Sequence, residues 1–258
     1  MIGVIIAFRN EIDRYLKSAG FRVVDETGAL RFHGTAEAAG VIVVEGGIGK
    51  SGGQEALERL LERHRIDLVI SAGFAGGVTP GVQPGDLYLC DRLMALEGPA
   101  AIWDPGSVLE RPVAVDPNVE EQLRSRGIRF VRGPCLSVPH LIPTTSMKRW
   151  IGETFPTSII DMESYWVAEA MAARGIPIGV ARCVLDTVDQ TLPEFVGGAV
   201  NDGKGHGFDK AIKYLARRPG EAPKLIRLAR QAKTAGESLS GLLSNLIDCL
   251  TAQPVTKG

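Results

Sequence analysis

The sequence predicts one α/β domain with a largely parallel sheet and a helical C-terminal extension. Two observations carry this. Apolar runs of strand length alternate with segments of helical spacing as far as Val184, the order that builds βαβ units. From about Asn201 the composition shifts to helix formers, with ten Lys and Arg against five Asp and Glu. The expected division is a core over 1–200 and a basic helical extension over 201–258 packed on it. A chain of 258 residues can bury enough surface to hold such a core without disulfides or metal.

Ile2–Phe8 (IGVIIAF) is a short, nearly continuous apolar run, as expected of a strand buried on both faces. A short helix follows around Glu11–Ala19, then strands at Gly28–His33 and Val41–Glu45. Gly46–Gly53 reads as a glycine-rich turn. Gln54–Arg63 has helical spacing through Ala56, Leu57, Leu60 and Leu61. Leu68–Ala72 is a second buried strand, followed by the glycine cluster Gly73, Gly76 and Gly77, and Asp86–Cys90 is a further strand. The proline-rich stretch Ala100–Pro117 reads as a loop. Strands at Phe130–Gly133 and Ser158–Ile160, a helix at Glu163–Ala173 stopped by Gly175 and Pro177, and a strand at Ile178–Val184 repeat the rhythm. Asp209–Leu215 and Lys224–Leu250 complete the chain as helices, the second with an apolar face.

The formal net charge of −1 argues against a nucleic-acid partner. Four widely spaced cysteines (Cys90, Cys135, Cys183, Cys249) form no CxxC, so neither disulfides nor a zinc site is expected, and a cytoplasmic location fits. The first apolar run meets Arg9, Asn10 and Glu11 at once, unlike a signal peptide, and no run reaches the roughly 18 residues of a membrane helix. A peripheral membrane contact by the basic tail stays open.

Two phosphate-binding patterns fail at the first glycine loop. Gly49-Lys50-Ser51 resembles the end of a P-loop, but the first glycine would fall at Val44. Gly47-x-Gly49-x-x-Gly52 fits the dinucleotide fingerprint, yet the acid expected about 20 residues on is missing, since Ser71-Ala72-Gly73 stands there. An NAD-dependent oxidoreductase is therefore the weakest of the alternatives.

Three carboxylates stand where an α/β sheet delivers side chains to a site: Glu11 past the first strand, Glu163 within Asp161-Met162-Glu163-Ser164, and Asp186 past the strand Ile178–Val184. Singly, each reads equally as a helix-dipole partner, a cap or a turn former. Together they suit cleavage of a bond between a sugar and a nitrogen base. One carboxylic acid protonates the leaving base, a carboxylate accepts from ribose hydroxyls, and another takes a proton from water.

Three ordered blocks resemble the nucleoside phosphorylase and nucleosidase superfamily, especially the methylthioadenosine/adenosylhomocysteine nucleosidases. They are IGVIIAFRNEI, GGIGK with DLVISAGFAGGVTPGVQPGD, and IIDMESYWVA with GIPIGVARCVLDTVD. The later stretch LPEFVGGAVNDG, a YLARRPG turn and the basic tail are similar to the hopanoid-associated phosphorylases. That resemblance implies a phosphorylase/hydrolase-like fold, a central mixed (largely parallel) twisted sheet surrounded by helices, usually dimeric, needing no cofactor beyond inorganic phosphate as co-substrate in a phosphorylase. It implies release of adenine from a small-molecule purine nucleoside modified at the ribose 5′ carbon, with adenosylhopane, a lipid-linked substrate, as the narrower case.

By position the resemblance makes Asp186 the acid serving the base and Glu11 the residue activating water. Glu163 becomes the ribose-hydroxyl binder, with Met162 against the sugar. Ile48 lines the 5′ pocket, Phe74, Ala75 and Gly76 form the loop under base and sugar, and Leu141 or the adjacent His140 meets the base. Two departures stand out. Position 74 carries Phe where a hydroxylated or small residue is usual, and SVPHLIPTT replaces an aromatic-containing loop. Glu11 present and a phosphate-binding hydroxyl absent favour hydrolysis. Phosphorolysis and a non-catalytic nucleoside-binding module are the alternatives. Removing residues after about Gly220 is expected to harm a lipid-linked substrate more than a small one.

Overall fold

The computed structural model describes residues 1–36, 40–193, 196 and 219–252. The boundary expected near residue 200 and the helix expected at Asp209–Leu215 lie outside the described residues.

Among the described residues ten strands form one sheet: β1 (Ile2–Ile6), β2 (Arg22–Thr27), β3 (Leu30–Gly34), β4 (Val41–Glu45), β5 (Leu68–Gly77), β6 (Leu87–Ala95), β7 (Leu109–Pro112), β8 (Val131–Ser137), β9 (Ile159–Asp161) and β10 (Ile178–Asp186). The spatial order is β10-β6-β8-β9-β5-β1-β4-β3-β2, and β10 also pairs with β5. Five strands thus close into a ring while β1, β4, β3 and β2 continue as a wing, and β7 adds to the edge of β6. The expected mixed sheet is present. Its described pairings divide evenly, five parallel and five antiparallel.

β5 is the hub. Its first half lies between β1 and β10, both parallel to it, and its end runs antiparallel to β9 through Gly76–Ile160 and Gly77–Ile159. The glycines expected to follow this strand are part of it, because close neighbours leave no room for side chains there. A Cβ at Gly77 would lie 3.0 Å from Val82 Cγ1, and one at Gly73 would lie 3.1 Å from Glu11 Oε1.

Among the described residues six helices surround the sheet: α1 (Asp13–Ser18), α2 (Gly49–Arg63), α3 (Pro117–Ser125), α4 (Thr145–Thr154), α5 (Ser164–Ala172) and α6 (Ala222–Ala252). The glycine segment read as a turn is itself the start of α2, since Gly49 through Gly53 are helical. β7 lies inside the stretch read as a loop.

The C-terminal half of α6 is core. Ala235, Leu239, Leu242, Leu243, Leu246 and Ile247 are buried in one cluster with Val4, Ile6 and Ile12 of the N-terminal segment and Val43 and Ile70 of the sheet. Each such leucine contributes about 1.5–3 kcal/mol by leaving water. Gly236 allows the approach, since a Cβ there would lie 2.9 Å from the carbonyl oxygen of Asn10. Among the described residues no helix is long and apolar enough to cross a membrane.

Candidate active site

β1 delivers the chain into a short 3-10 turn, Arg9–Glu11, that ends at a buried glutamate. Glu11 is 4% exposed. Its Oε2 accepts from the backbone N–H groups of Ala7 (2.9 Å) and Phe8 (3.0 Å), and Oε1 accepts from that of Phe74 (3.1 Å). Burial pushes its carboxyl up, against those N–H donors and the nearby Arg182 guanidinium, and the net displacement is upward.

The junction between β9 and α5 supplies Asp161, Met162 and Glu163. Asp161 is the junction's anchor. Its Oδ1 accepts from Ser137 Oγ (2.6 Å), and its Oδ2 accepts from Arg182 Nε (2.7 Å), Ser164 N (3.0 Å) and the Ser164 hydroxyl. Arg182, on β10, also donates to Ser71 Oγ at 2.9 Å. Burial alone would raise Asp161, but Arg182 and the two serine hydroxyls hold its carboxyl below the usual range. This buried network fixes the backbone from which Glu163 projects.

Glu163 Oε1 accepts from the Gly49 N–H at 2.6 Å, and its Oε2 accepts from the Met162 N–H at 3.3 Å. Gly49 opens α2 at φ +87°, a left-handed conformation that favours glycine and turns its N–H onto the carboxylate. The glycine loop that resembled a phosphate cradle thus spends this donor on the chain's own acid. Burial and the neighbouring Asp161 charge push Glu163 up to about 7.

Asp186 closes β10 and is 4% exposed. Its Oδ2 is paired with the ammonium of Lys148, which also donates to the carbonyls of Gln190 (2.8 Å) and Thr187 (3.1 Å). Burial pushes the Asp186 carboxyl up, Lys148 opposes it, and burial prevails.

These groups meet in one cavity of about 410 Å³. All ten residues singled out from sequence line it: Glu11, Ile48, Phe74, Ala75, Gly76, His140, Leu141, Met162, Glu163 and Asp186. Lys148 and Asp161 line it too, and sequence reasoning gave neither a role there. Arg182, also missed, lies directly behind, beside Glu11 and Glu163 in a much smaller void. One wall is apolar and partly made by α6, through Leu225, Leu228, Ala229 and Ala232, with Leu192 and Val196 beside them. α6 is tied to this rim by reciprocal 2.8 Å amide hydrogen bonds between Gln190 and Gln231.

Residues 1–210 match the phosphorylase superfamily. The chain belongs to the phosphorylase superfamily. That match includes every residue singled out above and ends before α6. Solved structures extend the likeness over nearly the whole length of this superfamily member. Futalosine hydrolase of Helicobacter pylori strain 26695 is 18% identical with a TM-score of 0.72, over 96% of this chain and 97% of that one. A mutant Helicobacter pylori MTAN with 5′-methylthioadenosine in its active site is 19% identical, with a TM-score of 0.66 over 94% and 97% of the two chains. The 5′-methylthioadenosine/S-adenosylhomocysteine nucleosidase from S. pneumoniae, held with a transition-state inhibitor, is 19% identical, with a TM-score of 0.69 over 96% and 99%. At this identity the likeness is one of fold: a mixed sheet, surrounding helices and a C-terminal helix.

Proposed function

We propose that this chain hydrolyses the N-glycosidic bond of a purine nucleoside, releasing adenine from a substrate modified at the ribose 5′ carbon, without a cofactor. One observation carries the reading. Three carboxylates from separate segments, the buried Glu11 and Asp186 and the partly exposed Glu163, line a single cavity large enough for a nucleoside. The solved nucleosidases, one holding 5′-methylthioadenosine, support the substrate class.

In this reading the C1′–N9 bond breaks with its electron pair staying on the base. Asp186 gives its proton to the base, and burial favours the protonated acid needed for that. Glu163 accepts hydrogen bonds from the ribose hydroxyls. Water attacks C1′ and yields its proton to Glu11, whose three N–H donors suit an ionised carboxylate. Solvent returns the proton from Glu11 to Asp186 between turnovers.

Water is favoured over phosphate by the charges around the cavity. Among the described lining residues Lys148 is the only Lys or Arg, and its three donors are already engaged. A phosphate dianion would face Glu11 and Glu163 with no unengaged Lys or Arg among the described lining residues to balance it. The apolar wall of Leu192, Val196, Leu225, Leu228, Ala229 and Ala232 supports a large apolar 5′ substituent, for which adenosylhopane is the narrower proposal.

Adenine release from 5′-methylthioadenosine, S-adenosylhomocysteine and 5′-deoxyadenosine, followed by chromatography with and without phosphate, tests this. Release without phosphate is expected. Release only with phosphate would replace hydrolysis by phosphorolysis, and binding without release would make the chain a nucleoside-binding module.

A further inference from the structure

Lys148 is 1% exposed, an unusual place for a lysine. It lies on the buried face of α4 with Ile151. Its ammonium has three donors and three acceptors: Asp186 Oδ2 and the carbonyl oxygens of Gln190 and Thr187. A buried pair of this kind is a poor source of stability, because desolvation offsets the attraction, and an apolar side chain of the same length often serves as well. The geometry offers another reason for it. Asp186 Oδ2 is held by Lys148, whereas Oδ1 accepts no hydrogen bond from a described residue and lies 3.6 Å from where a Cβ on Gly76 would stand, beside the cavity.

We propose that Lys148 is a positioning residue for Asp186: it pins one carboxylate oxygen and the backbone just beyond it, leaving the other oxygen aimed at the base. The inference rests on the hydrolase reading for the word base, and on the geometry alone for the pinning. The same ammonium grips the Thr187 and Gln190 carbonyls, and Gln190 is hydrogen-bonded to Gln231, so the aim of Asp186 and the seat of α6 share one anchor.

Lys148 also governs when Asp186 holds its proton. The other charged or titratable groups around it are Glu11 from the turn after β1, Asp161 and Glu163 from the β9–α5 junction, His140 from the loop before α4, and Arg182 on β10. Arg182 is engaged by Asp161, so Lys148 is the cation that opposes burial at Asp186. Without it Asp186 keeps its proton to higher pH.

Lys148→Met tests this. Adenine release from 5′-methylthioadenosine should fall about 10- to 100-fold in kcat with KM changed less than about threefold. The alkaline limb of the pH–rate profile should move upward. The Asp186 carboxyl, followed directly by 13C NMR and assigned with Asp186→Asn, should titrate at least about one unit higher, and Lys148→Arg should restore the wild-type titration. An unmoved carboxyl titration in folded Lys148→Met overturns the proposal. A moved titration in a protein that releases no base from any nucleoside supports the pinning and overturns the hydrolase reading instead. If Lys148→Met does not fold, Lys148→Gln takes its place with the same carboxyl readout: an Asp186 titration moved upward supports the pinning, and an unmoved one overturns it.

Discussion

The backbone N–H of Phe74 donates to Glu11 Oε1 at 3.1 Å, bridging residues 63 apart in sequence. The contact is made by the main chain of β5 and is indifferent to the side chain at position 74. A phenylalanine can therefore stand there without disturbing the proposed water-activating acid. Its ring, only partly buried, packs against the same core that α6 joins.

Phe74→Ser should keep phosphate-independent turnover within about tenfold of wild type, since the hydrogen bond that orients Glu11 survives. Loss of apolar packing should lower stability by about 1–3 kcal/mol. Adenine release with and without phosphate, beside urea unfolding, checks both. A phosphate requirement acquired by the variant would mean that the ring excludes the anion.

Glu11→Gln should fare worse. Both oxygens of Glu11 accept from backbone N–H groups, so an amide must turn its NH2 toward at least one of them. The expected cost is about 1–3 kcal/mol of stability. Turnover should drop by about 10²-fold or more, because the amide takes no proton from water. Single-turnover kinetics and thermal unfolding separate the two losses.

Glu163 gives a pH signature with a definite sign. Its carboxyl titrates near 7 in the folded chain, against an ordinary value of 4.5. The native state thus binds the extra proton between those values, and this group's contribution to stability falls as pH rises through that window, by about 3 kcal/mol in all. Urea unfolding at pH 5 and pH 8 should show a smaller alkaline loss in Glu163→Gln than in wild type. Glu11 and Asp186, also raised, keep part of the dependence in the variant. Asp161, held low, acts only at acid pH.

The two halves of α6 should respond differently to substitution. Leu239→Ala, in the core, should cost about 2–5 kcal/mol. Leu228→Glu, on the half-exposed cavity wall, should leave the unfolding midpoint nearly unchanged while raising KM for nucleosides with large apolar 5′ groups. Deletion after Gly220, which from sequence looked like a selective test of substrate size, removes buried core and should unfold the chain. Circular dichroism of that truncation would show it.

Strands and the three proposed catalytic or ribose-binding acids were legible because their signals are local. Val41–Glu45 is a bare apolar run of strand length, and Glu11, Glu163 and Asp186 each stand just beyond such a run. β2 was not legible, since it is an edge strand whose side chains are nearly all exposed, leaving no alternation to read. Lys148 and Arg182 were hidden for a related reason. Met147-Lys148-Arg149-Trp150 falls in a stretch where the sequence predicts no element, and two adjacent cations there carry no motif. Only the fold, which brings Asp186 from 38 residues away, makes the lysine an interior residue. Arg182 sits in a strand otherwise apolar around it, and its partners Asp161 and Ser71 come from other strands.

At about 1.5 Å per residue, the 31 residues of α6 run some 46 Å, from cavity rim to protein core. One end can then drift while the other cannot. Changes at Leu225, Leu228, Ala229 and Ala232 reshape what enters the cavity without being charged against folding, while Leu239 onward hold the helix in place. Among chains of this architecture, diversification of the accepted 5′ group should concentrate on that single helical face, leaving the three acids untouched.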